Sequence, residues 1–208
     1  EAAKLAATSQ AVSYSISDTS ANIVANIGGL NESINIASTD SCTFAQGKVI
    51  EDATNSGTIT YNISDSASNI TAGIGSDEAV ITSAQTVAAN SYATAAQANT
   101  IAGSAKAIVY SIKDTATAIA GANTGARNEA VNLICTTAAT VAEATTIDGA
   151  SNTGYNTYNI EDDHTAVAGA GNALATTAGT VTVSGTSTVA NAVTIAAYTK
   201  AVAYSISD

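Results

Sequence analysis

Along this chain, short stretches of strict apolar–polar alternation give way to a three-to-four spacing, and the change recurs from one end to the other. In Ile59-Thr60-Tyr61-Asn62-Ile63-Ser64, the residues Ile59, Tyr61 and Ile63 face one way, and Thr60, Asn62 and Ser64 face the other. Val12, Tyr14 and Ile16 follow the same plan, as do Ile108, Tyr110 and Ile112, and Val202, Tyr204 and Ile206. Period-two patterning with β-branched and aromatic residues predicts a half-buried strand at each place. In DTSANIVANIGGL (18–30), Ile23, Ile27 and Leu30 then fall on one helical stripe. Asp18 is the predicted N-cap of that helix, its carboxylate suiting the free amides and the dipole, and Gly28-Gly29 its stop. Asp65, Asp114 and Asp162 hold the same capping place in later copies.

The copies are regular. YSISD (14–18), YNISD (61–65), YSIKD (110–114), YNIED (158–162) and YSISD (204–208) end in Asp at intervals of 47, 49, 48 and 46 residues. Halfway between them run TFAQGKVI (43–50), TAAQANTI (94–101), TVAEATTI (140–147) and TVANAVTI (188–195), each read as a Thr-capped helix with its Ala and Ile on one face. Ahead of these lie SINIA (33–37), AVITS (79–83), AVNLI (130–134) and TVTVS (180–184), which read as strands. A fixed period sets the architecture before anything else does. The predicted fold is α/β: a repeat solenoid of strand–helix units of about 24 residues with a stacked parallel sheet. It is one segment, 1–208, of four repeats of about 48 residues (10–57, 58–106, 107–154, 155–201). A right-handed parallel β-helix, with the Ala-rich stretches extended, is the alternative; alanine's preference for helix favours the first. The pentapeptide tyrosines are expected inside, their hydroxyls seeking partners. EAAKLAATSQ reads as the middle of a repeat, so the expectation is a piece of a longer array.

Composition narrows the role. Charged residues are 11% and aromatics 4% of the 208, and Pro, Met and Trp are absent. Positive mean hydropathy with apolar residues in register argues against disorder. Net charge is −11 with only six Lys and Arg, so no cationic footprint for nucleic acid or an anionic membrane can be drawn. No apolar run is long enough to span a bilayer, so no membrane insertion is expected.

YSISDTSANI, with DTATAIAGA and the paired TVAEATTI, resembles the tandem repeat of very large secreted bacterial cell-surface proteins. These are adhesin-like or surface-layer-like chains of the type I secretion class, often with calcium-binding repeats. The resemblance covers the whole chain. It implies an extracellular or cell-surface location and a spacer or wall role. The nonapeptide GGxGxD calcium repeat is missing, so calcium binding does not carry over residue by residue.

No catalytic constellation emerges. The single His164, in Glu161-Asp162-Asp163-His164, lacks a second histidine for the usual zinc set, and no GxSxG elbow or phosphate loop is present. The expectation is a non-enzyme without cofactor. Calcium is the alternative, with Glu161, Asp162 and Asp163 as its best site, although capping is the plainer role for such an acidic column. Cys42 and Cys135, nearly two repeats apart, are expected about 19 Å from each other and therefore unbonded buried thiols; a bond to a neighbouring chain is the alternative. Ser15, Asn62, Ser111, Asn159 and Ser205, with Ser17, Ser64, Lys113, Glu161 and Ser207 beside them, form outward rows on a flat sheet. Such rows suit lateral packing, glycan binding or plain solvation. The sequons at Asn31, Asn62 and Asn69 fit chance in an Asn- and Ser-rich chain. The expected function is a structural extracellular repeat protein, a rigid spacer or wall element that packs against copies of itself or neighbouring repeats. A glycan- or calcium-binding adhesin stalk is the alternative.

Overall fold

The computed structural model describes residue 4 and residues 12–207. The fold is α/β, with parallel sheets and strands alternating with helices. It divides into two compact units: residues up to 91 together with 103–109, and residues 92–102 together with 110–208.

In the first unit, β1 (Ile16–Asp18), β2 (Ile36–Cys42), β3 (Ile59–Asp65), β4 (Val87–Ala89) and β5 (Ile108–Val109) lie side by side in chain order, all parallel. The registers Ile16↔Ile36↔Ile59 and Ile63↔Val87↔Ile108 stack branched aliphatic residues from strand to strand. Between them run α1 (Ser20–Ala25), a 3-10 turn (Ile27–Gly29), α2 (Phe44–Glu51) and α3 (Ala67–Ser83). Gly73 lets α2 and α3 come close, since a Cβ there would sit 2.5 Å from the Phe44 ring, and Gly47 lets α2 approach β3, since a Cβ there would sit 3.2 Å from the Tyr61 ring.

In the second unit, α4 (Ala95–Ile101) precedes β6 (Ile112–Asp114), β7 (Leu133–Cys135) and β8 (Asn156–Thr157), a parallel sheet in chain order. A further parallel sheet holds β9 (Ile160–Asp163), β10 (Val181–Ser187) and β11 (Val202–Ile206). The helices are α5 (Ala116–Gly121), α6 (Thr124–Glu129), α7 (Val141–Asp148), α8 (His164–Thr177) and α9 (Val189–Ala196). Gly171, at φ 81°, interrupts α8 in a conformation that glycine adopts freely.

The core holds part of the predicted columns: Val12 and Ile206, expected inward, are 38% and 56% exposed, and Tyr204 is half-buried. Tyr61, Tyr110 and Tyr158 are fully buried, and their hydroxyls find partners: Val80 O at 2.7 Å, Ala126 O at 2.9 Å, and Asp148 Oδ1 at 2.8 Å with Thr177 Oγ1 at 2.6 Å. Tyr14, half-buried, donates to Gly29 O at 2.8 Å. Other expectations shift. AVITS (79–83) closes helix α3 instead of forming a strand, and the strand is Val87–Ala89. The adjacent Val80 and Ile81 are both buried, which a helical stripe permits and strict alternation would not. The strands expected at 33–37 and 130–134 begin three residues later, at Ile36 and Leu133. Ile27 leaves the buried stripe and is 59% exposed, because the chain tightens there from α to 3-10 geometry and the periodicity changes.

Candidate functional site

The acidic column does not cap the helices as expected. The N-caps are one residue later: Thr19, Ser66, Thr115 and Asp163, with φ between −61° and −65° and ψ between 149° and 161°. Their side chains accept from the amides of Asn22, Asn69, Ala118, and Thr165 with Ala166. Asp18, Asp65 and Asp114 end their strands, and their Oδ1 takes the amide of the cap residue itself, at 2.7–2.8 Å.

The second carboxylate oxygen reaches backward along the chain. Asp65 Oδ2 accepts from Phe44 N at 2.9 Å, Asp114 Oδ2 from Ala95 N at 3.0 Å, and Asp162 Oδ2 from Val141 N at 2.9 Å. Phe44, Ala95 and Val141 are each the first residue of a helix, so each helix receives a cap from the end of a strand about twenty residues further along the chain. The intervening helices are served alike: Asp40 Oδ1 takes Ser20 N, Ser91 Oγ takes Ala67 N, and Thr137 Oγ1 takes Ala116 N. First-turn amides have no partner within their own helix, so these bonds fasten one strand–helix unit to the next. The Thr-headed motifs add capping boxes at Thr43/Gln46, Thr94/Gln97 and Thr140/Glu143.

Sequence reading missed a second ladder. Asn35 Oδ1 accepts from Thr58 N at 2.9 Å, Asn62 Oδ1 from Thr86 N at 3.1 Å, Asn132 Oδ1 from Tyr155 N at 3.1 Å, and Asn159 Oδ1 from Thr180 N at 2.9 Å. A parallel set joins Asn31 to Thr54, Asn99 to Asn123, Asn128 to Ser151 and Asn172 to Thr199. Asparagines recurring 97 residues apart, at 31 and 128, 35 and 132, and 62 and 159, were the available signal. The outward row is at the surface, with Ser15, Asn159 and Ser205 exposed and Asn62 and Ser111 half-buried, but most of it is bonded to neighbouring segments. Asn62 and Asn159 spend their carbonyl oxygens on the next strand, Ser15 Oγ accepts from Asn35 Nδ2 and Ser111 Oγ from Asn132, both at 3.3 Å, and Ser205 is exposed. In the neighbouring row, Lys113 lies 5.5 Å from the centre of the Tyr92 ring, while Ser17, Glu161 and Ser207 are exposed and Ser64 is half-buried. Of the sequons, Asn31 and Asn62 belong to the ladders, and Asn69 Nδ2 donates to Asp65 Oδ1 at 2.8 Å.

The few cations are also tied inward. Lys106 Nζ bonds Ala84 O, Arg127 Nη1 bonds Ala120 O at 2.8 Å and Ala122 O, and Lys200 Nζ bonds Ala178 O at 2.5 Å, all at helix C-terminal ends where positive charge is favoured. Lys48 pairs with Asp77 at 2.6 Å.

Around Glu161, Asp162 and Asp163, the last two carboxylates are engaged with backbone amides and Glu161 is exposed. Among the described residues no three His, Cys, Asp or Glu side chains converge as metal ligands. His164 Nδ1 lies 2.6 Å from Asn191 Nδ2. Cys42 and Cys135 are unbonded; Cys42 is buried and Cys135 half-buried, and burial pushes both thiols up, that of Cys135 to about 11. Among the described residues no helix is long and apolar enough to cross a membrane.

Compared with known protein families, curated proteins and solved structures, the chain matches none.

Proposed function

We propose that the chain is a structural extracellular repeat protein, a rigid spacer or wall element of a bacterial surface layer, filament or adhesin, with the strand–helix units stacked as a solenoid. The observation that supports this reading most directly is the spending of polar chemistry on cohesion. Asp40, Asp65, Asp114 and Asp162 each bond a helix amide about twenty residues earlier, and the asparagine ladders bond amides about as far ahead. A site for substrate or glycan needs convergent polar groups left free for a ligand. Here the candidate groups are bonded to backbone at regular intervals. The strongly acidic composition and the resemblance of YSISDTSANI and TVAEATTI to secreted surface repeats agree with a cell-surface location.

Negative-stain electron microscopy and thermal melts, each with calcium and with chelator, test the proposal. A stable particle whose form and melting temperature ignore the chelator is expected, either isolated or packed in arrays of constant width. Loss of stability in chelator would instead make the acidic column a set of calcium ligands and the chain a calcium-dependent binding module.

A further inference from the structure

Asn and Asp are plentiful in this chain, yet no Asn is followed by Gly and only one Asp is, at Asp148-Gly149. In such a dipeptide the side-chain carboxyl is most open to attack by the next backbone nitrogen, since glycine brings no side chain to crowd the approach. The pair stands at the surface: Asp148, the last residue of α7, and Gly149 are both exposed. The fold nevertheless holds both reacting groups. Gly149 N donates to Thr145 O at 3.0 Å, and Gly149 continues the helical sense at φ −76° and ψ −1°. In helical backbone an amide points back along its own helix while side chains lean outward, so the Asp148 carboxyl carbon is kept off Gly149 N. The carboxyl is fixed as well. Its Oδ1 accepts from the hydroxyl of the fully buried Tyr158 at 2.8 Å, and that hydroxyl also bonds Thr177 Oγ1 at 2.6 Å. Ala150 N on Ile147 O at 3.2 Å and Ser151 N on Asn128 Oδ1 at 3.0 Å fasten the turn that follows.

We propose that Asp148-Gly149 is a self-modification site, an aspartate isomerisation that Tyr158 gates. When the end of α7 opens, Gly149 N attacks Asp148 Cγ. A C–N bond forms, the carboxyl C–O bond breaks, and one water leaves with the amide proton, giving a five-membered succinimide. Water then adds back. Ring opening at one carbonyl restores aspartate; at the other it leaves the main chain running through Cγ, as isoaspartate. Only water is lost and regained, so no co-reactant is required. The isoaspartyl main chain is one carbon longer before Gly149, and its free carboxylate sits on Cα. That shifts Gly149 N against Thr145 O and moves the carboxylate that Tyr158 held. The product is a lasting covalent record of opening at the point where α7, Tyr158 and the last residue of α8, Thr177, meet. This inference goes beyond the surface-layer reading and does not depend on it.

Peptide mapping by mass spectrometry of the 208-residue chain, aged at neutral pH, counts isoaspartate at Asp148. The folded chain should isomerise at least about tenfold more slowly than the same chain held in urea above its unfolding transition, because reaction needs the opened state. Tyr158→Phe removes the gate and should speed the folded chain several-fold. Tyr110→Phe removes an equally buried hydroxyl, bonded to Ala126 O instead, and should leave the rate unchanged. Circular dichroism checks that each aged variant is folded. If Tyr158→Phe does not fold, hydrogen exchange at Gly149 N decides in the parent chain: urea below the transition should raise exchange and isomerisation in the same proportion. Equal rates in folded and unfolded chains, no acceleration by a folded Tyr158→Phe, the same acceleration by Tyr110→Phe, or isomerisation that ignores Gly149 exchange overturns the proposal.

Discussion

The carboxylate of Asp65 holds the first amide of the helix before it: Oδ2 accepts from Phe44 N at 2.9 Å, across 21 residues of chain. Its Oδ1 meanwhile takes Ser66 N at 2.7 Å and Asn69 Nδ2 at 2.8 Å, and the residue is only 7% exposed. Removing it leaves two helix-start amides without acceptors where water reaches poorly. Asp65→Ala should therefore cost about 2–3 kcal/mol, the range for stranding partners of a charged, buried acceptor. Asp65→Asn keeps one acceptor oxygen and should fall between the variant and the parent. Asp18→Ala, at an exposed site, should lose distinctly less. Denaturant midpoints measure all three, and equal losses for Asp65→Ala and Asp18→Ala would remove the inter-unit cap as a source of stability.

Asn156 is the opposite case, a polar residue in an apolar column. It stands across from Leu133, where Ile59, Ile108 and Val202 stand across from Ile36, Val87 and Val181. Its Nδ2 donates to Ile147 O at 2.9 Å, but its buried Oδ1 has no partner among the described residues. Ile147 O also accepts from Gly149 N and Ala150 N, so losing Asn156 does not strand it. Asn156→Ile should raise stability by about 1–2 kcal/mol, the cost of an unsatisfied buried acceptor. A destabilised variant would mean that a bound water completes the site.

The strands with Tyr-x-Ile were legible because alternation and period coincide there, and the Thr-headed helices because a hydroxyl followed by Gln or Glu is a local signature. Both features lie within a few residues of chain. What escaped was non-local. Nothing near Asp65 announces that its second oxygen serves Phe44, and nothing near Asn35 announces Thr58. Both appear only once units lie side by side. AVITS misled because Val80 and Ile81 are β-branched, while the burial of consecutive positions in the short helical segment after the kink at Asp77 is decided by packing. The polar row misled for a related reason: outward position on a sheet was equated with freedom, yet the Asn62 and Asn159 side chains accept from Thr86 N and Thr180 N.

Acid and alkali should open the fold for different reasons. Hydrogen bonds hold three carboxyls below the ordinary range: from the Asn22 side chain and Thr19 N to Asp18, from Ser20 N to Asp40, and from Ala166 N and Thr165 N to Asp163. Each binds its proton more weakly folded than unfolded. Their contribution is complete above the unfolded carboxylate range near 4 and disappears as pH falls through the lowered folded values. The tyrosines run the other way. Burial pushes Tyr61 and Tyr110 strongly up and Tyr158 to about 12. The unfolded chain gives up these protons near pH 10 while the fold keeps them, so stability should fall as pH rises above about 10. Melting temperature should be level between these limits, and phenolate absorbance of the buried tyrosines should appear together with loss of helical circular dichroism. Their ionisation in a chain that keeps its helical signal would contradict the burial assigned here.

Gly57 is required by space alone. Its φ is not in the left-handed region, yet a Cβ there would lie 2.6 Å from Ile34 O and against Asn35 Oδ1, the same oxygen that receives Thr58 N. Backbone just ahead of β2 cannot move aside as a side-chain tip can. Gly57→Ala should therefore destabilise by about 1–3 kcal/mol, as overpacking does, although alanine restricts the unfolded chain and would otherwise help by up to about 1 kcal/mol. Gly28, with nothing within 4 Å of its Cβ position, supplies the control, and Gly28→Ala should be neutral or stabilising. Asn35→Ala removes the ladder oxygen and, with it, part of the clash. In a double-mutant cycle, Gly57→Ala should then cost less in the Asn35→Ala background than alone, by an amount that measures their contact. Strict additivity would show that Gly57 and Asn35 act separately, and that the asparagine ladder is not the reason for the glycine.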